Sequence, residues 1–379
     1  MQRASQRFIQ ISLIYSFTNN STTNYIMKIL AINPGSTTTK IAVYEDGEKV
    51  FVESIQHSEE ELSRFVRVTD QYDYRKQFIL NCLSNHGVTL EFDAVIGRGG
   101  IGKPTQGGVY EVNAQLRLDM INAQRKHACN LGCLIAYELA HMMPDCRALT
   151  ADPVTVDELC DEARLTGSTL MPRRSIWHAL NQRAIAFRFA KEEGGKYEDY
   201  NLIVAHLGGG ISVAAHQHGK AVDVNNALDG EGPFSPERAG TLPTSDLISL
   251  CYSGVYTKNE IMKRIVGKAG VAAHLGTSDV RKVMERVEAG DKKAKLVIDS
   301  MCYQVAKSIA AQSAVMFGKV DAILLTGGLA YSSYITDKIK ERVEFLAPVH
   351  VYPGEDEMLA MAENAFAVLR GEREVLEYK

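Results

Sequence analysis

Several side chains in this sequence are of kinds that handle anions, and the local sequence leaves them free to do so. Arg98 stands in Gly97-Arg98-Gly99-Gly100, directly after the short apolar run Phe92–Ile96. The flanking glycines leave the guanidinium uncrowded, and in α/β sheets ligands collect at the carboxyl ends of strands. A second arginine, Arg238, lies in DGEGPFSPERAGT (229–241), too polar and too rich in Gly and Pro for a core element. That segment is either an ordinary connection or the carrier of a second positive group. His178 occurs in PRRSIWHALNQRAIAFRFAKE (172–192), whose spacing predicts a helix with Ile176, Leu180, Ala184 and Phe187 as its buried stripe. With Ser175 as N-cap, His178 falls in the first turns, off the stripe, where a helix N-terminus can meet an anion. The competing reading is a structural histidine beside Trp177. Asp152 follows the short strand Arg147–Thr150 and precedes Pro153. It is suited to holding a metal-bound water or to capping the helix VDELCDEA.

Two glycine-bearing turns are the elements that must position these groups. The first is in KILAINPGSTTTKIAV (28–43), an apolar strand, a hydroxyl-rich turn and a second apolar strand. Gly35 allows close backbone approach, Ser36 to Thr39 offer hydroxyls, and Lys40 adds a charge; backbone N–H groups and short hydroxyls surround phosphate without steric conflict. The second, about 170 residues downstream, is NLIVAHLGGGISVAA (201–215), with Gly208, Gly209 and Gly210 at its turn. Both continue into a charged turn and a short apolar piece, EDGEKVFV and QHGKAVDV. A repeat at that distance implies two duplicated domains facing each other across a cleft that holds a polyphosphate.

The remaining chain supplies the scaffold. Residues 50–90 read as charged and weakly helical, with YRKQFILNCLSNHG one amphipathic helix stopped by Gly87. Residues 114–142 read as one or two helices ended by Pro144. Helices are expected at 245–253, 258–267 and 291–317, and Ser278 or Asp279 caps another. Strand Ala322–Leu325 runs into Thr326-Gly327-Gly328, a strand–glycine–helix turn of the kind that contacts nucleotides. A final strand, VHVY, leads through Pro353-Gly354 and Glu355-Asp356-Glu357 to the last helix.

Composition sets the outer limits. At 379 residues the chain is long enough for two well-buried domains. A net charge of −4 argues against nucleic acid and against a polybasic membrane patch. The seven cysteines show no Cys-x-x-Cys, as expected of reduced thiols in a cytoplasmic protein. No apolar run approaches the roughly 20 residues that span a bilayer. Residues 1–26 lack a cleavage site and are read as a disordered leader, or as upstream of a natural start at Met27.

NPGSTTTK, GRGG, TADPVTVDEL, RRSIWHALNQ, AHLGGGISV, GPFSPERAGTLP, GTSDVR and LLTGGLAYS follow in this order across residues 28–357. Each is weak alone, but the ordered set resembles the butyrate kinases, in the acetate kinase group of the acetate–sugar kinase, heat-shock chaperone and actin superfamily. The resemblance covers nearly all of the chain after Met27. It implies an α/β fold of duplicated ribonuclease H-like (actin-like ATPase) domains with a nucleotide cleft between them. Residues 27–155 with the C-terminal helix 356–379 would form one domain and 156–355 the other. It also implies a homodimer or higher homo-oligomer, and reversible phosphoryl transfer from ATP to a short-chain fatty acid, with Mg²⁺.

Matched residue by residue, Asn33, Ser36 and Thr38 would orient phosphate and metal, with Lys40 beside them. Arg98 and Arg238 would clamp the substrate carboxylate and the phosphoryl group. Asp152 would position magnesium and His178 would hydrogen-bond the transferring phosphoryl. Gly208, Gly209 and Gly210, with His206, would meet the ATP phosphates, and Asp279, Arg281, Gly327 and Gly328 would lie near the adenosine. Glu357, or its neighbours Glu355 and Asp356, would be a second magnesium-associated carboxylate. Pro34 and the threonines after it, where acetate kinases more often carry serines, favour the butyrate branch without settling the acid, and a branched-chain acid, propionate or acetate stays an alternative acceptor. An ATP-switch protein of the same fold is the alternative from another class.

Overall fold

Two apolar hairpins seed two sheets. The computed structural model describes residues 25–125 and 127–379, so all but the end of the segment expected to be a leader lies outside the described residues. The first sheet begins with β1 (Lys28–Pro34), β2 (Thr38–Glu45) and β3 (Glu48–Gln56) and adds β4 (Ala94–Gly97), β5 (Val109–Glu111) and β6 (Arg147–Ala151). The second contains β7 (Leu202–Leu207), β8 (Ile211–Gln217), β9 (Lys220–Val224), β10 (Ala322–Gly327) and β11 (Val349–Pro353). A last short strand, β12 (Val375–Leu376), returns to the first sheet beside β5.

Read from the hairpin edge, β3-β2-β1-β4-β6 and β9-β8-β7-β10-β11 have the same order. Each has two antiparallel pairings followed by two parallel ones. The likeness reaches the turns. Asp46 and Gly47 (φ 49° and 95°) join β2 to β3, and His218 and Gly219 (φ 49° and 76°) join β8 to β9. Both are two-residue turns with positive φ at each centre, the form that matches strand twist and that glycine favours. Strand β3 replaces the helical character expected at the start of 50–90; its alternation of exposed and half-buried side chains is that of an edge strand. Strands β5 and β12, three and two residues long, are too short to leave a periodic trace in sequence.

The helices cover four sheet faces. Tyr72–Asn85 and Leu131–Ala140 pack on the outer face of the first sheet. Lys292–Val315 and Ser333–Val343 cover the outer face of the second. The long helix buries Ala294, Ile298, Met301, Val305 and Ile309, a repeat of three or four residues that keeps one stripe inward. Burying each of the larger side chains stabilises by about 1.5–3 kcal/mol. Between the sheets lie Ala179–Glu192, against β7 and β10, and Glu357–Leu369, against β1 and β4, in contact with each other. Because Ala179–Glu192 is enclosed on several sides, the expected single stripe is not what is buried. Leu180 is buried, but Ile176, Ala184 and Phe187 are half-buried, and Ala186, Phe189 and Ala190 form the inward face. Ser175 does not cap this helix; its hydroxyl donates to the Val156 carbonyl at 2.6 Å, and His178 occupies the cap position.

One buried cation fixes the first glycine turn from behind. Arg75, fully buried in the Tyr72–Asn85 helix, donates to the Thr38 carbonyl (2.7 Å), Thr39 Oγ1 (3.0 Å), the Ser36 carbonyl (3.0 Å) and Gln71 Oε1. Burial pulls its pKa down to about 10. Arg75→Met would leave these acceptors unsatisfied, with an expected loss of about 2–4 kcal/mol of stability and faster amide exchange through Ser36–Thr39. Denaturant titration and hydrogen exchange check this; a turn as protected as in the wild type contradicts it.

Candidate active site

The carboxyl ends of the parallel strands deliver most of the cluster. Asn33 is the penultimate residue of β1, Arg98 follows β4, His206 lies near the end of β7 and Gly327 closes β10. Arg98 is set by its backbone, whose N–H donates to the Ile32 carbonyl at 2.8 Å. Its loop also presses on the helix at Gly132, where a Cβ would lie 2.4 Å from the Arg98 carbonyl oxygen. Its guanidinium is ion-paired with Glu357 Oε2, the same oxygen that accepts from Asn33 Nδ2 at 2.7 Å. Arg98 Nε is buried without a partner among the described residues, a donor left for something else. Of the three acidic residues before the last helix, Asp356 is its cap, accepting from Leu359 N at 3.0 Å, and Glu357 faces Arg98. The Glu355 carboxyl is pushed up to about 7 by desolvation and by the neighbouring Glu357, against the opposing pull of Arg98 and Lys40. Ser36 and Lys40 are exposed and Thr38 is half-buried along the first turn.

The second sheet contributes the other half. In its glycine turn Gly208 N donates to Gly210 O at 3.1 Å, and Ser235 Oγ donates to Gly209 O at 2.6 Å. Arg238 donates through Nη1 to the Ala227 carbonyl at 2.6 Å and lies across Gly210, where a Cβ would come within 1.9 Å of that nitrogen. Of the three glycines, Gly210 is the one against which the arginine lies. Gly327 packs on the Leu207 backbone and exchanges hydrogen bonds with Gly354 at 3.0 Å, while Gly328 has open space around it.

Two imidazoles lie at the junction. His178 stacks on His206 with centroids 3.8 Å apart and planes 10° from parallel. Desolvation is the main force holding both neutral, and the nearby positive charges of Arg98 and Arg238 add to it; His206 falls to about 3 and His178 well below its ordinary value. His206 Nε2 is 3.6 Å from Glu355 Oε2, too long for a hydrogen bond, and with the ring neutral it is no ion pair. Both arginines act on both rings, so residues from separate sheets share one electrostatic site.

They act on a third ring as well. His127, between the helices of the first sheet, keeps an exposed surface, yet desolvation of its ring and then the charges of Arg98 and Arg238 shift it down. Sequence reading passed over it inside an expected helical stretch, although QRKHACN interrupts the apolar repeat there. A polar chain runs past this loop: Ile101 N donates to Asn130 Oδ1 (2.9 Å), and Asn130 Nδ2 donates to the Arg125 carbonyl (3.0 Å). Arg125 in turn meets Asp229 Oδ1 at 2.5 Å, so the Arg98 loop is tied to the segment before Arg238.

Not every expected residue joins. Asp152 caps nothing, since no helix begins before Asp161–Arg164. Its carboxylate is buried, accepts from Gly108 N at 2.7 Å and lies 2.9 Å from Arg183 Nε, an ion pair off the hydrogen-bonding direction. Burial raises its pKa despite Arg183. Asp279 does cap Val280–Glu288, accepting from Arg281 N at 3.1 Å, but Arg281 is exposed and pairs with Asp279 rather than with the cluster.

Among the described residues, those that could hold a divalent cation are Glu355 and Glu357, with Asn33 beside Glu357. Glu355 and Glu357 repel each other across a partly desolvated space, which a cation would relieve, and Asn33 adds an amide oxygen. No group of three acidic, His or Cys side chains suited to a metal converges among the described residues. Mg²⁺ needs no such cage where substrate phosphates complete its shell.

Comparison with known proteins places this arrangement. Residues 168–360 match the acetokinase family. A curated protein of Bacteroides thetaiotaomicron, described as a probable butyrate kinase, is 61% identical over 353 residues, covering 93% of this chain and all of that protein. In structure the chain is similar to an acetate kinase from Porphyromonas gingivalis, with TM-score 0.74 and 22% identity over 90% of this chain and 100% of that one. It is also similar to a propionate kinase from Francisella tularensis, with TM-score 0.71 and 19% identity over 89% and 98%. The fold is thus the duplicated actin-like ATPase fold, as expected. No described helix is long and apolar enough to cross a membrane.

The buried imidazoles make stability depend on pH. For His178, His206 and His216 the folded pKa lies below the unfolded value near 6.5, so unfolding takes up protons between the two. Their contribution is complete above about pH 6.5 and is lost as pH falls toward the folded values, about 3 for His206 and His216. His216→Gln removes one such group. The slope of unfolding free energy between about pH 6 and pH 4 is expected to fall by up to about 1.4 kcal/mol per pH unit. Urea titrations over that range read it, and an unchanged slope counts against a neutral His216.

Proposed function

This chain belongs to the acetokinase family, and we propose that it transfers the terminal phosphoryl group of ATP to butanoate, reversibly, giving ADP and butanoyl phosphate. The observation that carries the reading is the convergence of Arg98 and Arg238, one from each sheet, on a neutral His178–His206 pair beside two glycine turns. A carboxylate is nucleophilic once ionised, so the site needs no general base. What it must overcome is repulsion between an anionic acceptor and an anionic phosphoryl group. Two guanidinium groups supply planar, bidentate donors that suit carboxylate and phosphate oxygens alike.

In this reading the unpartnered Arg98 Nε is a donor for the acceptor carboxylate. Arg238, tethered at the Ala227 carbonyl, faces the phosphoryl oxygens, and the turn Gly208–Gly210 receives the nucleotide phosphates. His178 hydrogen-bonds the group in transfer and Lys40 lies along the first turn. Glu355, Glu357 and Asn33 would hold Mg²⁺, which would supply charge neutralisation beside the nucleotide phosphates. Asp152, bound to Arg183, keeps the end of β6 in place rather than ligating metal. The high identity to a probable butyrate kinase supports butanoate as acceptor. The free cysteines fit a reducing cytoplasm. Magnesium dependence and a homodimer are part of the same proposal.

Arg98→Ala and Arg238→Ala are each expected to lower kcat by roughly 10³-fold or more, with only partial recovery in the lysine variants. Steady-state rates decide it, and losses below about tenfold at both positions remove the clamp. The acceptor is tested by trapping acyl phosphate as hydroxamate from ATP and a panel of straight and branched acids of two to five carbons. Butanoate is expected to give the highest kcat/KM. A different best acid overturns the assignment, and ATP hydrolysis without acyl phosphate overturns the kinase reading.

A further inference from the structure

Behind His178 runs a line of buried polar groups that the transfer reaction does not itself require. His178 Nδ1 lies 2.8 Å from Ser212 Oγ, and Ser212 Oγ lies 2.7 Å from Gln182 Nε2. Gln182 Oε1 lies 3.0 Å from His216 Nε2, and His216 Nδ1 lies 2.5 Å from the Tyr197 hydroxyl. Ser212, Gln182, His216 and Tyr197 are all essentially removed from solvent, so their hydrogen bonds must be satisfied among themselves.

The direction of each bond follows from one fixed acceptor. The main-chain carbonyl of Ser212 can only accept, and Gln182 Nε2 sits 3.0 Å from it. That settles which end of the Gln182 amide is nitrogen, and its second hydrogen goes to Ser212 Oγ. Gln182 Oε1 then points at His216, which must carry its proton on Nε2. His216, held neutral by burial and by Arg183, keeps a bare Nδ1 that accepts from the Tyr197 hydroxyl. At the other end, Ser212 Oγ receives the Gln182 hydrogen and faces the His178 backbone N–H at 3.5 Å. Every neighbour of that hydroxyl except one is a donor. Its own hydrogen therefore has a single acceptor, His178 Nδ1.

We propose that Ser212, Gln182, His216 and Tyr197 are positioning residues that hold His178 as the tautomer protonated on Nε2. With Nδ1 occupied by the Ser212 hydroxyl, the ring turns a hydrogen-bond donor, and no lone pair, toward the cleft. The inference deepens the proposed function, resting on it for the meaning of that donor but not for the tautomer itself. A ring so held donates to phosphoryl oxygens and is no nucleophile toward phosphorus. Attack through Nε2 would require moving the proton to Nδ1, where the Ser212 hydrogen already stands, and so reversing the whole buried chain.

The test is long-range ¹H–¹⁵N correlation on the full-length enzyme labelled with ¹⁵N-histidine, without ligands, the His178 signals being assigned by their loss in His178→Gln. The wild type is expected to show a bare Nδ1 and a protonated Nε2, which needs no substitution to read. A proton on Nδ1 overturns the proposal. Ser212→Ala should convert this to a mixture of tautomers; a mixture no different from the wild type overturns Ser212 as the cause. In the same variant kcat is expected to fall roughly tenfold or more, with KM for both substrates changed less than about threefold. If the tautomer shifts while kcat stays at the wild-type value, the chain stands and the role of His178 in phosphoryl transfer fails.

Discussion

Bringing two guanidinium groups into one partly desolvated space is electrostatically unfavourable, and the architecture around them is organised to make it possible. Arg98 is offset by Glu357, whose oxygen is also held by Asn33. Arg238 has no such carboxylate in contact among the described residues; it is anchored through a main-chain carbonyl, and burial lowers its pKa. The imidazoles nearby stay neutral first because they are desolvated, and the two positive charges reinforce it. An arrangement with this excess of positive potential is completed by anions, which is why it suits a reaction whose reactants are both negative.

The duplicated sheet order explains how such a site is assembled. Each half ends its parallel strands on the same side of its own sheet, and the two helices between the sheets bring those ends together. Of these helices, Ala179–Glu192 presents His178 at its first residues and runs through Gln182 and Arg183, while Glu357–Leu369 presents Glu357. One layer thus carries groups belonging to both halves.

Much of this was legible in the chain before folding. The paired hairpins, the arginine displayed among glycines, the histidine at a helix start and the order of motifs all follow from local residue types and spacing. What stayed hidden depends on contacts across long separations. Arg75 looks like one more charge on an amphipathic helix, yet it is buried because its acceptors lie in a turn some forty residues earlier. His127 drew no notice because the charges that act on it, Arg98 and Arg238, come from distant parts of the chain. The stripe expected for 172–192 failed for a related reason: a helix enclosed on several sides has no single inward face, and the period of its apolar residues cannot report that.

By itself, then, the sequence determined the kinds of groups available and the local turns that carry them, because strand alternation, helix period and glycine placement act over a few residues. Tertiary structure decided which groups meet. Asp152 carries a signal that suits a metal or a cap equally, and only the fold sets Arg183 against it. Among Glu355, Asp356 and Glu357, three adjacent carboxylates with the same local chemistry, helix phase and the position of Arg98 select one as cap and another as ion-pair partner. The proton on His178 is decided furthest from the chain order. It follows from a carbonyl on another strand and a glutamine one helical turn away, and no pattern of residue types records the direction of a hydrogen bond.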